Sequence, residues 1–165
     1  MGSFSLWYSS RVNQSRVEFQ MVATLRRGLL VVFLFGVVGT IVELFLLEHV
    51  DGWKQWMPIA LLCAGGCAAA AAALHPVPWL MRCLQVASVL CVVSGGAGTW
   101  FHYVGNVEFE IERTPELGGL ALFSAAMGGA TPALAPGTMI QFGLIGLLFT
   151  WRHPGWRARE TPPPS

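Results

Sequence analysis

The sequence predicts an all-α integral membrane protein with four transmembrane helices, and composition and pattern both support this. Hydrophobic residues make up 54% of the chain and charged residues 12%, whereas soluble domains carry about 25% charged residues. The mean hydropathy is +0.56. Apolar stretches near the ~20 residues that one crossing needs recur along the chain, separated by short polar or proline-containing connections. The 165 residues therefore predict one membrane domain with little room for a soluble one.

The predicted domain organisation follows from where these apolar stretches begin and end. A cytoplasmic amphipathic lead-in at 1–28 precedes a transmembrane domain at 29–152, and a cytoplasmic tail follows at 153–165. An outer insertion at 105–133 separates the last two crossings and holds a short extended segment and an interfacial or re-entrant helix. The four crossings are predicted at 29–48, 58–75, 79–104 and 134–152.

The first crossing carries one ionisable side chain. Its apolar run at 29–47 is too long for a signal peptide, so we expect it to remain as a helix. Gly36 and Gly39 form a face of small residues for close contact with another helix. Glu43 is a candidate functional group because placing a carboxylate inside a membrane costs free energy. Since Glu43 lies toward the outer end, the simpler interpretation is contact with the interface or with a neighbouring helix.

Small side chains dominate the second crossing. Gly65 and Gly66 precede the alanine run 68–73, which leaves little side-chain volume to face lipid and predicts tight packing against other helices. Trp53 and Trp56, which precede this crossing, are typical of an interfacial belt. The four cysteines of the chain all fall in apolar segments without a C-x-x-C pair. This pattern favours small apolar residues over redox or zinc-binding roles.

The third crossing leads into the polar segment that is the best candidate for a functional surface. Gly95 and Gly98 form another face of small residues, and His102 follows one turn later. Apolar residues and carboxylates then alternate, and in an extended segment such side chains point to opposite sides. We therefore expect an extended ribbon on the outer membrane surface. The residues expected to contact a partner are Val107, Glu108, Phe109, Glu110, Ile111 and Glu112.

A short helix is predicted after this ribbon. Thr114 and Pro115 are typical of an N-cap and a first helical residue, and the helix is expected at 116–128. It is too short to span the membrane, so we expect it to be interfacial or re-entrant. The last crossing follows and ends at the interface with Trp151 and Arg152.

The distribution of arginines predicts the topology. If both termini are cytoplasmic, eight of the ten basic residues lie inside, and only Lys54 and Arg113 lie outside. The positive-inside rule favours this arrangement, and a bacterial inner membrane is the expected location. The outer face is then acidic. The formal net charge of +1 gives no reason to expect nucleic acid, so the expected partners are the lipid bilayer and other membrane protein subunits.

Two histidines at the outer interface lead to a cofactor hypothesis. His49 and His102 end helices that run in the same direction, with Glu43 and Glu108 near them in sequence. Imidazole with carboxylate suits a transition metal. Gly98, four residues before His102, offers a flat surface on which a haem or a chlorophyll-type pigment can rest. No spacing matches a metal signature such as H-E-x-x-H, so the cofactor stays unassigned.

Two further functional hypotheses remain. A four-helix protein with one carboxylate in its first helix resembles the small multidrug-resistance exporters in general plan, which implies proton-coupled transport through Glu43. The off-centre Glu43, the longer chain and the outer insertion depart from that plan. No nucleophile motif or phosphate loop indicates an enzyme. The leading hypothesis is a non-catalytic accessory or scaffold subunit of a larger membrane complex, respiratory or photosynthetic, because small-residue faces, interfacial tryptophans and an acidic ribbon suit packing among subunits.

Overall fold

The protein is all-helical over the residues that the computed structural model describes, which are 2–48, 51–129 and 133–156. Five α-helices and one short 3₁₀-helix at Pro154–Trp156 account for nearly all of them, and none of these residues forms a strand. The all-α prediction is therefore confirmed. The α-helices are α1 Gly2–Leu46, α2 Trp53–Leu74, α3 Pro78–Arg113, α4 Gly119–Met127 and α5 Gly137–Thr150.

Three helices are long and apolar enough to cross a membrane. They are the part of α1 from Asn13 to Leu46, the whole of α2 and the whole of α3. Helix α5 is equally apolar but has 14 residues, so at 1.5 Å per residue it measures only about 21 Å. A hydrocarbon core is about 30 Å thick. Three of the four predicted crossings thus have a helix of sufficient length, and the fourth stays a prediction.

The predicted extended ribbon is wrong, because α3 continues as a helix to Arg113. The alternation of apolar residues and glutamates has the period of a strand, but glutamate is also a good helix former. A helix places Asn106 and Glu110 on the same side, where both are buried. Tertiary packing of this side therefore overrides the two-residue pattern.

The short helix after the ribbon begins later than predicted. Thr114 is the C-terminal cap of α3, and α4 starts at Gly119 with Gly118 as its N-cap. At the other end of the molecule, the predicted lead-in and first crossing form one continuous helix of 45 residues. No proline interrupts α1, which explains why the chain continues without a break.

Four helices enclose one core. Helix α1 packs against α2 and α5, and α3 packs against α2, α4 and α5, so α1 and α3 lie diagonally across the bundle. Side chains from all four long elements meet there. The rings of Phe33 and Phe142 pack edge to face with centroids 6.1 Å apart, and Leu62, Met81 and Leu84 are fully buried around them.

Glycines set the close contacts between the helices. A methyl group added at Gly36 would meet the ring of Phe142. The other predicted packing glycines that lie against neighbouring helices are Gly65, Gly66, Gly95 and Gly98, whereas Gly39 faces open space. Gly143 and Gly146 of α5, which the sequence analysis did not single out, lie against Ser88 of α3. The pairs of contacting residues show that α5 is antiparallel to both α1 and α3.

Candidate functional site

The candidate surface lies at the C-terminal end of α3, which the predicted topology places on the outer side of the membrane. The helix has 36 residues and is therefore about 54 Å long, which exceeds the ~30 Å of a hydrocarbon core. The predicted crossing ends at 104, and the remaining nine residues add about 14 Å of helix. Helix α4 packs against α3, and a hydrogen bond between Asn106 and Ala126 places it beside this extension.

Asn106 attaches α4 to α3. Its side chain is only 3% exposed, and Nδ2 donates a hydrogen bond of 2.8 Å to the carbonyl oxygen of Ala126. The last carbonyls of a helix have no partner within the helix, so Asn106 satisfies one of them at the end of α4. Gly129 makes room for this contact, since a Cβ there would lie 2.8 Å from Cγ of Asn106.

Glu110 lies one turn further along the same side of α3. It is only 4% exposed, and Nη2 of Arg113 donates a hydrogen bond of 2.9 Å to its Oε2. A buried carboxylate needs such a partner because removing its charge from water costs several kcal/mol. Glu110 is therefore a buried, ion-paired group of α3 and is not part of an exposed acidic surface.

The opposite side of the extension is exposed. We call the residues Glu108, Phe109, Ile111 and Glu112 the outer α3 face. At 100° per residue they cover about 160° of the helix circumference, with the two carboxylates in the middle and one apolar side chain on each flank. Phe109 is 48% exposed and Ile111 is 43% exposed. Of the six residues predicted to contact a partner, these four are accessible, Val107 is half-buried and Glu110 is buried.

An aromatic cluster supports the base of the extension. The ring of Tyr103 lies 6.2 Å from that of Trp100 and 5.9 Å from that of Phe123, measured between centroids. Nζ of Lys54 lies 5.1 Å from the centre of the Phe101 ring, a cation–π distance. These contacts connect α3 with the start of α2 and with α4. The part of α3 that precedes the outer α3 face is therefore held by two other helices.

The structure does not gather the predicted ligands into one set. Six residues separate His102 from Glu108 on one helix, which turns their side chains about 120° apart. Glu43 is exposed on α1, which makes no close backbone contact with α3 in the described part of the chain. His49 lies outside the described residues. Among those described, no three His, Cys, Asp or Glu side chains are grouped to hold a metal ion.

Sequence reasoning missed Asn106 and the burial of Glu110. Helical spacing could have found them, because positions 106, 110 and 113 share one side of a helix. Comparisons with known protein families, with curated proteins and with solved structures found no match for this chain.

Proposed function

We propose that this protein is a non-catalytic accessory or scaffold subunit of a larger membrane protein complex, and that the outer α3 face contacts a partner subunit. The observation that carries the proposal is the exposure of Phe109 and Ile111 on a helix that extends beyond the length of one crossing. We further propose four crossings, with both termini in the cytoplasm of a bacterial cell and the bundle in its inner membrane.

Large exposed apolar side chains support a membrane location. On α1, Phe35 is 80% exposed and Val31 is 65% exposed. On α3, Val86 and Val93 are about 60% exposed. Contiguous apolar surface of this extent is rare on soluble monomers, whereas in a bilayer it faces lipid at no cost.

Contacts at both ends of α5 support a fourth crossing. At the outer end, Pro136 lies against Gly98 of α3. At the inner end, Nη2 of Arg26 donates hydrogen bonds of 2.9 Å to the carbonyl oxygens of Trp151 and Arg152. The segment from Pro136 to Arg152 therefore extends from the level of Gly98 to that of Arg26. This separation suits a crossing, with the turns beside α5 adding to its length.

The chemistry of the outer α3 face defines the partner. Glu108 and Glu112 are exposed and form no ion pair in the described part of the chain, and Glu116 follows in the connection to α4. The partner should present arginine or lysine between two apolar contacts. Aromatic residues and arginine are both enriched at protein interfaces.

Site-directed photo-crosslinking in native membranes tests this role. A photoreactive phenylalanine analogue at position 109 should give a discrete crosslinked protein, and the same analogue at the lipid-facing position 93 should not. The paired variant Phe109→Ala with Ile111→Ala should release the subunit from a complex on native gels. The matched variant Val86→Ala with Val93→Ala should leave that complex intact. Crosslinks to lipid alone at 109 would contradict the proposal.

The redox and transport hypotheses have no comparable support. Glu43 is exposed on the outside of the bundle, whereas a carboxylate that exchanges protons for a substrate usually faces the bundle interior or a water-filled cavity. His102 is half-buried, and its predicted partner His49 lies outside the described residues. Both hypotheses remain predictions, to be tested by an absorption spectrum, metal analysis and the transport activity of Glu43→Gln.

A further inference from the structure

A cavity of about 250 Å³ opens at the inner end of the bundle. Helix α1, the α2–α3 connection and the end of α5 form its walls, which include Phe19, Arg26, Arg27, Pro76, Phe149 and His153. It lies at the opposite end from the outer α3 face. Its level is that of the lipid headgroups, because Arg26 and Arg27 immediately precede the apolar run of the first crossing.

The described lining of the cavity is positively charged. Among the described residues that line it, two are arginines and none is acidic. Nη2 of Arg26 is used for the carbonyl oxygens of Trp151 and Arg152. Arg27 donates no hydrogen bond and forms no ion pair within the described part of the chain. The guanidinium of Arg27 is thus available to an anion, and Nε and Nη1 of Arg26 are further donors.

His153 adds a neutral hydrogen-bond donor. Its Nδ1 accepts a hydrogen bond of 3.0 Å from the backbone N–H of Gly155, which places the proton of the neutral ring on Nε2. Burial, together with the positive charge of Arg26, lowers the pKa of His153. The ring also packs on Phe149, with centroids 5.1 Å apart, so its orientation is held from two sides.

The walls on the membrane side of the arginines are apolar. Leu30, which follows Arg27 in the first crossing, and Ala73, near the inner end of α2, both line the cavity. A free inorganic anion gains no binding energy from an apolar wall, whereas the acyl chain of a lipid packs well against it. Basic pockets between transmembrane helices on the cytoplasmic side are suited to anionic headgroups.

We propose that this cavity binds the phosphate of an anionic phospholipid from the inner leaflet, with Arg27 as the main contact and Arg26 and His153 as further donors. The lipid's first acyl carbons lie along Leu30 and Ala73, on the membrane side of the arginines. The inference requires the membrane topology proposed above, but it does not depend on the docking role of the outer α3 face.

Native mass spectrometry of the full chain tests the site. Protein released from nanodiscs of phosphatidylglycerol should retain a bound lipid, and protein from phosphatidylcholine nanodiscs should not. Arg27→Gln should lower the retained phosphatidylglycerol about fivefold, since one arginine near an anionic surface contributes a factor of this size. Arg82→Gln is the matched control, because Arg82 is exposed at the inner start of α3 and does not line the cavity.

Two further measurements make the result decisive. Arg27→Lys should restore most of the retention, which a variant that fails only by misfolding would not do. Inorganic phosphate and glycerol 3-phosphate should raise the thermal midpoint in detergent less than short-chain phosphatidylglycerol does. Equal retention by Arg27→Gln and wild type, or equal protection by inorganic phosphate, would overturn the proposal.

Discussion

Helices α1 and α3 are the two longest elements, yet they relate to the rest of the chain in opposite ways. In its most apolar window, α3 has 39% of its residues buried, whereas α1 has 11% buried. Helix α3 packs against α2, α4 and α5, whereas α1 packs against α2 and α5 only in the described part of the chain. Length and hydropathy therefore do not distinguish a central helix from a peripheral one.

The difference between the two helices arises from whether their glycines contact the backbone of a neighbouring helix. On α3, Gly95 lies against the backbone of Pro136 and Ile140, so two helix axes approach closely. On α1, Gly36 meets only the ring of Phe142, and Gly39 meets nothing within 4 Å. A glycine stabilises a helix pair only where a neighbour uses the space that it leaves. The predictions below test this contrast between the two helices.

The largest effect is expected at Gly95 of α3. A Cβ there would lie 2.8 Å from the carbonyl oxygen of Pro136 and 2.9 Å from the backbone nitrogen of Ile140. Backbone cannot move as a side chain does, so Gly95→Ala should lower the free energy of unfolding by about 3 kcal/mol. Gly96→Ala is the control, because nothing lies within 4 Å of that position. Thermal midpoints in detergent that agree for the two variants would contradict the central role of α3.

A smaller loss is expected at the outer end of α3. Asn106→Ala leaves the Ala126 carbonyl oxygen without its donor, and an unsatisfied buried polar group costs about 1–3 kcal/mol. Amide hydrogen exchange in α4 should increase together with a lower thermal midpoint. Glu108→Ala, on the exposed side, should change neither measurement. Unaltered exchange in α4 for Asn106→Ala would mean that this hydrogen bond does not hold α4 in place.

On α1, substitution should cost less than on α3. The Cβ of Gly36→Ala would meet the side chain of Phe142, which is able to shift, so we expect a loss of about 1 kcal/mol. Gly39→Ala should leave the thermal midpoint unchanged or raise it, because alanine has the higher helix propensity. If Gly39→Ala weakens the protein in its native complex but not in detergent, Gly39 contacts a partner subunit.

The smallest effect concerns pH at the inner end, where α1 meets the end of α5. Because burial and Arg26 lower the pKa of folded His153, the unfolded chain binds the proton more readily than the folded chain. Stability is therefore greatest above the unfolded pKa of about 6.5 and falls as the pH drops toward the folded pKa. His153→Asn should reduce this fall between pH 7.5 and pH 5.5. His75→Asn, at an exposed position, is the control and should follow the wild type.

Several features of the fold could be predicted from single residues. Helix α2 ends at Leu74 and α3 begins at Pro78, because Pro76 and Pro78 interrupt the helical pattern. The apolar run of α1 likewise predicts a long helix. These signals depend on neighbouring residues only, so the helix positions that they predict do not depend on tertiary contacts.

The candidate site was predicted less well. The sequence analysis singled out this segment, in which Phe109 is exposed, but the segment is a helix and not the predicted extended ribbon. Alternating Val, Glu, Phe and Ile residues satisfy a strand pattern and a helix at once, and the choice depends on α4. In the helical form, Asn106 and Glu110 are both buried and both hydrogen-bonded, to Ala126 and to Arg113 respectively.

The sequence by itself determined the all-helical class and the three long apolar helices, because hydropathy and proline placement act within a few turns of the chain. Only the tertiary structure decided that α3 is central and α1 peripheral. It also joined Arg26 of α1 to the carbonyl oxygen of Trp151, which directly follows α5 and is 125 residues away. The physical reason is that packing depends on which helices the fold brings together. The residues around each side chain in the sequence do not indicate which distant side chain it will contact.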